Sequence, residues 1–87
     1  MTLKYSKTFA KQLQKAPQSI QDAFCERLTM FLMSPFDPKL NNHALKGKFL
    51  GCRSMNITGD WRAIFVITKE NDLLEFVLLG THSNLYG

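Results

Sequence analysis

The sequence predicts an α+β domain in which an N-terminal helical hairpin packs on one face of a small, mainly antiparallel, twisted sheet. Three observations point there. Apolar residues recur at helical spacing through the first 34 residues, punctuated by Pro17 and Pro35. Three β-prone runs follow, joined by polar links of three and four residues. The chain has 87 residues, 45% of them hydrophobic and 11% aromatic, enough to close one core, so residues 1–87 form a single domain.

Taken in order, Thr2 to Tyr5 alternates apolar and polar residues and reads as an edge strand. From Ser6 to Ala16, Phe9, Ala10 and Leu13 fall on one side of a helix with Ser6 as its N-cap, and lysines and glutamines cover the rest. Pro17 has no amide hydrogen and should end that helix and open the next as its first residue. Ile20, Ala23, Phe24, Leu28, Phe31 and Leu32 then mark a second apolar stripe, which Pro35 stops near Ser34. Neither helix can bury its stripe alone, so the hairpin needs a sheet. Phe49 to Ile57, Trp61 to Thr68 and Leu73 to Leu79 supply it, and links as short as Thr58-Gly59-Asp60 and Lys69 to Asp72 force an antiparallel meander. The middle run is apolar on both alternating faces and should be central. In the first run Arg53, Met55 and Ile57 oppose Cys52, Ser54 and Asn56, so the face away from the helices should be partly polar and cationic.

Composition narrows the function. A single small domain excludes the large nucleotide-binding and barrel enzymes. The apolar runs are far short of the roughly 20 residues that cross a bilayer, and no apolar stretch follows the basic N-terminus, so a cytoplasmic protein without membrane contact is expected. Cys25 and Cys52 lack metal-ligand or CxxC spacing and read as reduced thiols in or near the core; no cofactor or metal is expected. Eleven basic residues against seven acidic give a net charge of +4, and the charge is blocked: +4 over residues 1–21, −2 over 22–38, +4 over 39–62 and −2 over 63–87. Cations concentrated on one helix and on the approach to the sheet suit a polyanion, although charge alone fits a solubilising surface equally well.

Two segments hold the chemistry. Asn41-Asn42-His43-Ala44-Leu45-Lys46-Gly47-Lys48 places a histidine and two lysines around a glycine, a set of donors suited to phosphate. Gly80-Thr81-His82-Ser83-Asn84-Leu85-Tyr86 places the other histidine just beyond a strand end, with an aromatic ring four residues on. With no nucleophile–base pair in the chain, the reaction that fits is one whose substrate brings its own nucleophile. RNA does so: its 2′-hydroxyl attacks the adjacent phosphate when one side chain takes its proton, another protonates the leaving oxygen and cations stabilise the developing charge.

The strings His43-Ala44-Leu45-Lys46-Gly47-Lys48, Gly51-Cys52-Arg53, Gly59-Asp60-Trp61-Arg62 and Gly80 to Tyr86, in that order and at these separations, closely resemble the YafQ branch of the RelE/ParE toxin superfamily. The resemblance implies the RelE-like fold and a toxin of a type II toxin–antitoxin pair. It further implies a ribosome-dependent endoribonuclease, or mRNA interferase, that enters the A site of the small ribosomal subunit and cuts translated mRNA without a metal. An acidic, DNA-binding cognate antitoxin would hold it inactive. On the matching positions, His82 looks like the main general acid or base and Tyr86 like the C-terminal aromatic that orients the nucleotide. His43 looks like the second histidine, Asp60 like the carboxylate at the hairpin turn, and Lys46, Lys48, Arg53 and Arg62 like the contacts to RNA or its phosphate.

This sequence departs from the family pattern at Ser54 and Asn56, where the pattern has Asp and His. Neither residue shuttles a proton near neutral pH, so either the proton chemistry shifts to His43, His82 and Asp60 or activity is lower. The residues also carry plainer readings: Asp60 as a turn residue, Trp61 as core, Tyr86 packed on the sheet edge, and Arg53 and Arg62 paired with Asp72 or Glu75. A ParE-like inhibitor of DNA gyrase on the same fold, and a degenerate toxin retained as an antitoxin-binding partner, are the alternative functions.

Overall fold

A computed structural model describes residues Met1–Tyr86. Strand β1 (Thr2–Tyr5) leads into helices α1 (Lys7–Lys15) and α2 (Gln18–Met33). A 3₁₀ turn at Pro38–Leu40, the two-residue strand β2 (His43–Ala44) and a second 3₁₀ turn at Gly47–Phe49 come next. Strands β3 (Arg53–Asn56), β4 (Trp61–Thr68) and β5 (Leu73–Thr81) follow, and helix α3 (His82–Tyr86) is the last element of the described residues. The five strands form one sheet in the order β1-β5-β4-β3-β2, with β1 parallel to β5 and the other pairs antiparallel. The α+β architecture and the meander are those the sequence predicts.

The caps explain where the hairpin begins and turns. Ser6 accepts from the Phe9 amide and donates from the same oxygen to the Val77 carbonyl, so it starts α1 and ties it to β5. Pro17 is the N-cap of α2 rather than its first residue: with ψ near 147° it is not helical, and its carbonyl accepts from Ile20 and Gln21. Phe9 from α1 and Ile20, Phe24 and Phe31 from α2 are buried against Met55, Ala63, Phe65, Leu74, Phe76 and Leu79 of the sheet. Phe9, Phe24 and Phe76 form a tilted and edge-on ring cluster with centroids 5.0–5.4 Å apart. Such pairs add about 0.5–1.5 kcal/mol beyond the area they bury.

Several expectations need correction. Leu32 is not core: it is 57% exposed, because at about 100° per residue twelve residues turn it about 120° away from Ile20. Cys25 is exposed on α2 and Cys52 half-buried; both are free thiols. The run from Phe49 to Ile57 is not one strand. Gly47 and Gly51 take positive φ (64° and 93°), fold the chain into a 3₁₀ turn and leave only Arg53–Asn56 extended. That turn is closed by the Leu50 amide on the Gly47 carbonyl and the Cys52 amide on the Phe49 carbonyl. The short β2, both 3₁₀ turns and α3 were not anticipated.

The sheet also has a bulge. Ile64 pairs with Leu78 and Phe65 with Phe76, leaving Val77 unmatched. Beyond Phe76 the edge of β5 has no strand neighbour, and α1 covers it: Ser6 takes the Val77 carbonyl, and Gln12 Oε1 accepts from the Leu79 amide at 2.7 Å.

Candidate active site

On the face of the sheet away from α1 and α2, alternation and register bring together residues distant in sequence. His43 on β2 pairs with Ser54 on β3, Ser54 pairs with Ile64 on β4, and Asn56 pairs with Arg62. At the end of β5 the chain turns into α3, anchored by the His82 amide donating to the Asp60 carbonyl at 2.9 Å and the Asn84 amide to Thr81 Oγ1. Leu85, buried, packs over Gly80, where a Cβ would stand 3.3 Å from its side chain. That close approach seats α3 on the sheet and carries His82 and Tyr86 over the same face. The result is an open cavity of about 370 Å³ lined by Asn41, His43 and Leu45 on one side and by Ser54, Arg62, His82 and Tyr86 on the other.

Contacts orient these side chains. His43 Nδ1 lies 2.7 Å from the Asn41 carbonyl, an acceptor only, so Nδ1 donates; in the neutral ring this leaves the lone pair on Nε2. Arg62 spends one terminal nitrogen on the Thr58 and Trp61 carbonyls, which leaves its Nε and second terminal nitrogen as a two-donor edge. The Tyr86 ring lies 4.8 Å from the His82 ring and meets Phe49 edge-on at 5.9 Å. Lys48 sits over Phe49, with Nζ 5.1 Å from the ring centroid, and this aromatic chain holds its charge near the cavity.

Not every expected residue converges. Asp60 is exposed in the turn and its carboxylate does not line the cavity; its contribution is the backbone carbonyl that anchors His82. Lys46 and Lys48 are exposed outside the lining. Arg53 is on the opposite face from Arg62, because they occupy sheet positions of opposite parity: Arg53 shares the helix side with Met55. There its guanidinium donates to Asn42 Oδ1 at 2.8 Å and stacks on Phe36. Neither arginine has a carboxylate partner among the described residues; Asp72 instead meets the amino terminus at 3.1 Å. Trp61 packs half-buried against the core, and Tyr86 packs on Phe49 rather than on the sheet edge. The open face is less polar than expected, since Ile64 and Leu85 are buried on it. Asn41, Leu45 and Ser54 were not anticipated as lining; for Ser54 the strand alternation was the available signal.

Arg53 belongs to a second, apolar groove of about 620 Å³ lined by Phe31, Phe36, Leu45, Leu50 and Ile67 among others, with Lys69 at its rim. Two of these lining residues, Phe36 and Leu50, are 70% and 80% exposed. Among the described residues no three His, Cys, Asp or Glu side chains gather as a metal site, and no helix is long and apolar enough to cross a membrane.

The helical hairpin on a five-stranded sheet, with a histidine-bearing C-terminal helix over the far face, defines a small toxin of the RelE/ParE superfamily. YafQ from E. coli strain BL21(DE3) shares the fold with a TM-score of 0.80 at 26% identity, over 98% of this chain and 97% of that one. Within that superfamily the chain belongs to the YafQ family, the bacterial toxins of type II toxin–antitoxin systems, which it matches over residues 1–87. A metal-bound toxin from Helicobacter pylori is similar at a TM-score of 0.74 and 27% identity, over 99% of both chains. The E. coli DinJ–YafQ toxin–antitoxin complex is similar at 0.70 and 26%, over 98% of this chain and 96% of that one. No curated protein sequence matches the chain.

Proposed function

We propose that this toxin is a ribosome-dependent endoribonuclease that cleaves translated mRNA by attack of the ribose 2′-hydroxyl on the adjacent phosphate. The observation that carries the reading is the convergence of His43, Arg62, His82 and Tyr86 on one cavity from three separate elements. His43, with Nε2 free, takes the 2′-hydroxyl proton; the 2′-oxygen bonds to phosphorus; the bond to the 5′-oxygen breaks as His82 delivers a proton to it. The products are a 2′,3′-cyclic phosphate and a free 5′-hydroxyl. Arg62 offers two parallel donors to the phosphorane oxygens, Lys46 and Lys48 supply the outlying positive field, and Tyr86 stacks on a base. The cavity is open and small, so the ribosome supplies much of the alignment of the mRNA in the A site.

The cognate antitoxin is proposed as an acidic protein whose apolar residues fill the groove beside Phe36 and Leu50 while its carboxylates meet Arg53 and Lys69 at the rim. Leu45 lines both groove and cavity, so occupancy of one bears on the other.

The deciding experiment is cleavage of mRNA on programmed ribosomes by the wild type, His82→Ala and His43→Ala, with and without EDTA. Cleavage by the wild type, loss of at least a hundredfold in either variant and indifference to EDTA are expected. Full activity in His82→Ala removes it from the mechanism, and EDTA-sensitive cleavage makes a metal part of it. Intact mRNA together with gyrase inhibition selects the ParE-like alternative, and growth unaffected by induced expression selects the degenerate toxin.

A further inference from the structure

Three buried polar side-chain atoms lack any hydrogen-bond partner among the described residues: Ser54 Oγ, Asn56 Oδ1 and Tyr86 Oη. All three belong to the face that carries the cavity, and two of the three residues line it. Among the described residues Ser54 is the only polar one in the buried set, with 0% exposure. A buried hydroxyl without a partner costs about 1–3 kcal/mol, so a domain of this size does not keep two on residues of one cavity without use. Elsewhere the polar side chains that reach the interior are served: Gln12 by Leu79, Ser6 by Val77 and Phe9, and Arg27 by the Ile57 carbonyl.

We infer that Ser54 Oγ, with Tyr86 Oη, is the seat for the ribose 2′-hydroxyl of the RNA; this rests on the ribonuclease reading of the same cavity. A neutral hydroxyl pair suits a group that both donates and accepts, whereas Arg62, acting only as a donor, suits the phosphate oxygens. Ser54 stands directly across the strand pair from His43. Ser54 Oγ–H donates to the 2′-oxygen and leaves the 2′-hydroxyl proton free to point at His43 Nε2. Ser54 does not itself take a proton; it orients the nucleophile and stabilises the charge that grows on it. The contact also distinguishes RNA from DNA, which lacks the group.

The test separates this role from a structural one by the direction of the stability change. In Ser54→Ala the orphaned hydroxyl is gone, so the thermal midpoint stays at or above that of wild type while kcat for ribosomal mRNA cleavage falls about tenfold. The shape of the pH–rate profile is unchanged, because serine does not titrate there; Ser54→Cys, nearly the same in volume but a weak donor, behaves likewise. Wild-type kcat in Ser54→Ala overturns the inference. So does a lowered midpoint accompanying the loss, which makes Ser54 structural, or an altered pH profile, which makes it act through an imidazole. If the wild type does not cleave mRNA, the ribonuclease reading fails separately, and Ser54 is judged on equilibrium binding of a ten-nucleotide RNA against the DNA of the same sequence. Preference for RNA that disappears in Ser54→Ala supports the seat. Equal binding by the wild type, or binding of neither, overturns it.

Discussion

Leu85→Ala tests whether α3 is a separately detachable carrier of His82. The helix has five residues, too few to hold together alone in water, so it persists through docking. Its attachments are the buried Leu85 side chain over Gly80, the His82 amide on the Asp60 carbonyl, the Asn84 amide on Thr81 Oγ1 and the Tyr86 contact with Phe49. Ordering five residues costs about 1–2 kcal/mol each in backbone entropy, which nearly cancels what these contacts supply. Docking is therefore close to balanced. Truncating a buried leucine removes at least about 2 kcal/mol, enough to lower the docking equilibrium constant about thirtyfold and, from near balance, the docked population about fifteenfold. The main core, centred on Phe9, Phe24, Phe65 and Phe76 on the other face, does not include Leu85. Mutant protein should therefore lose about fifteenfold in mRNA cleavage, with early hydrogen exchange confined to residues 82–86 and a thermal midpoint within a few degrees of wild type. Wild-type cleavage, or a loss matched by cooperative destabilisation of the whole domain, would refute the reasoning.

Three further outcomes are expected. Arg62→Lys keeps the charge but loses the planar edge and the contacts to the Thr58 and Trp61 carbonyls; cleavage should fall about tenfold to a hundredfold, and a rate equal to wild type would show that charge alone suffices. Gln12→Ala strips the Leu79 amide of its acceptor and should lower the free energy of urea unfolding by about 1–2 kcal/mol without touching the cavity. Leu50→Asp, on the apolar groove, should weaken antitoxin binding at least tenfold in a titration while mRNA cleavage is retained; unchanged affinity would place the antitoxin elsewhere.

Much of the fold is legible locally. Ser6, Pro17 and Pro35 fix the ends of the helices through hydrogen-bonding capacity and restricted φ, which neighbours in sequence determine. Phe9, Phe24 and Phe31 declare a buried stripe by spacing alone. Leu32 misleads because a helix drifts against a repeated three-four pattern over three turns, and Phe49 to Leu50 mislead because β-prone residues sit between two glycines that choose positive φ. The seven residues Gly80 to Tyr86 contain their histidine and tyrosine at helical separation, but a helix of that length is decided by the sheet beneath it.

The amino-acid sequence by itself determined the class of each long element, the pairing of neighbouring strands through short links, the excess of positive charge and the presence of two histidines, one of them just beyond a strand end. Tertiary structure decided which of these residues meet. Alternation places Arg53 and Arg62 on opposite faces, so only one faces the cavity. The β2–β3 register sets His43 across from Ser54, and Leu85 packing on Gly80 brings His82 and Tyr86 over the same ground. Local propensity sets backbone shape within a few residues, whereas a site built from four elements depends on register and docking between segments up to about forty residues apart, which no local pattern encodes.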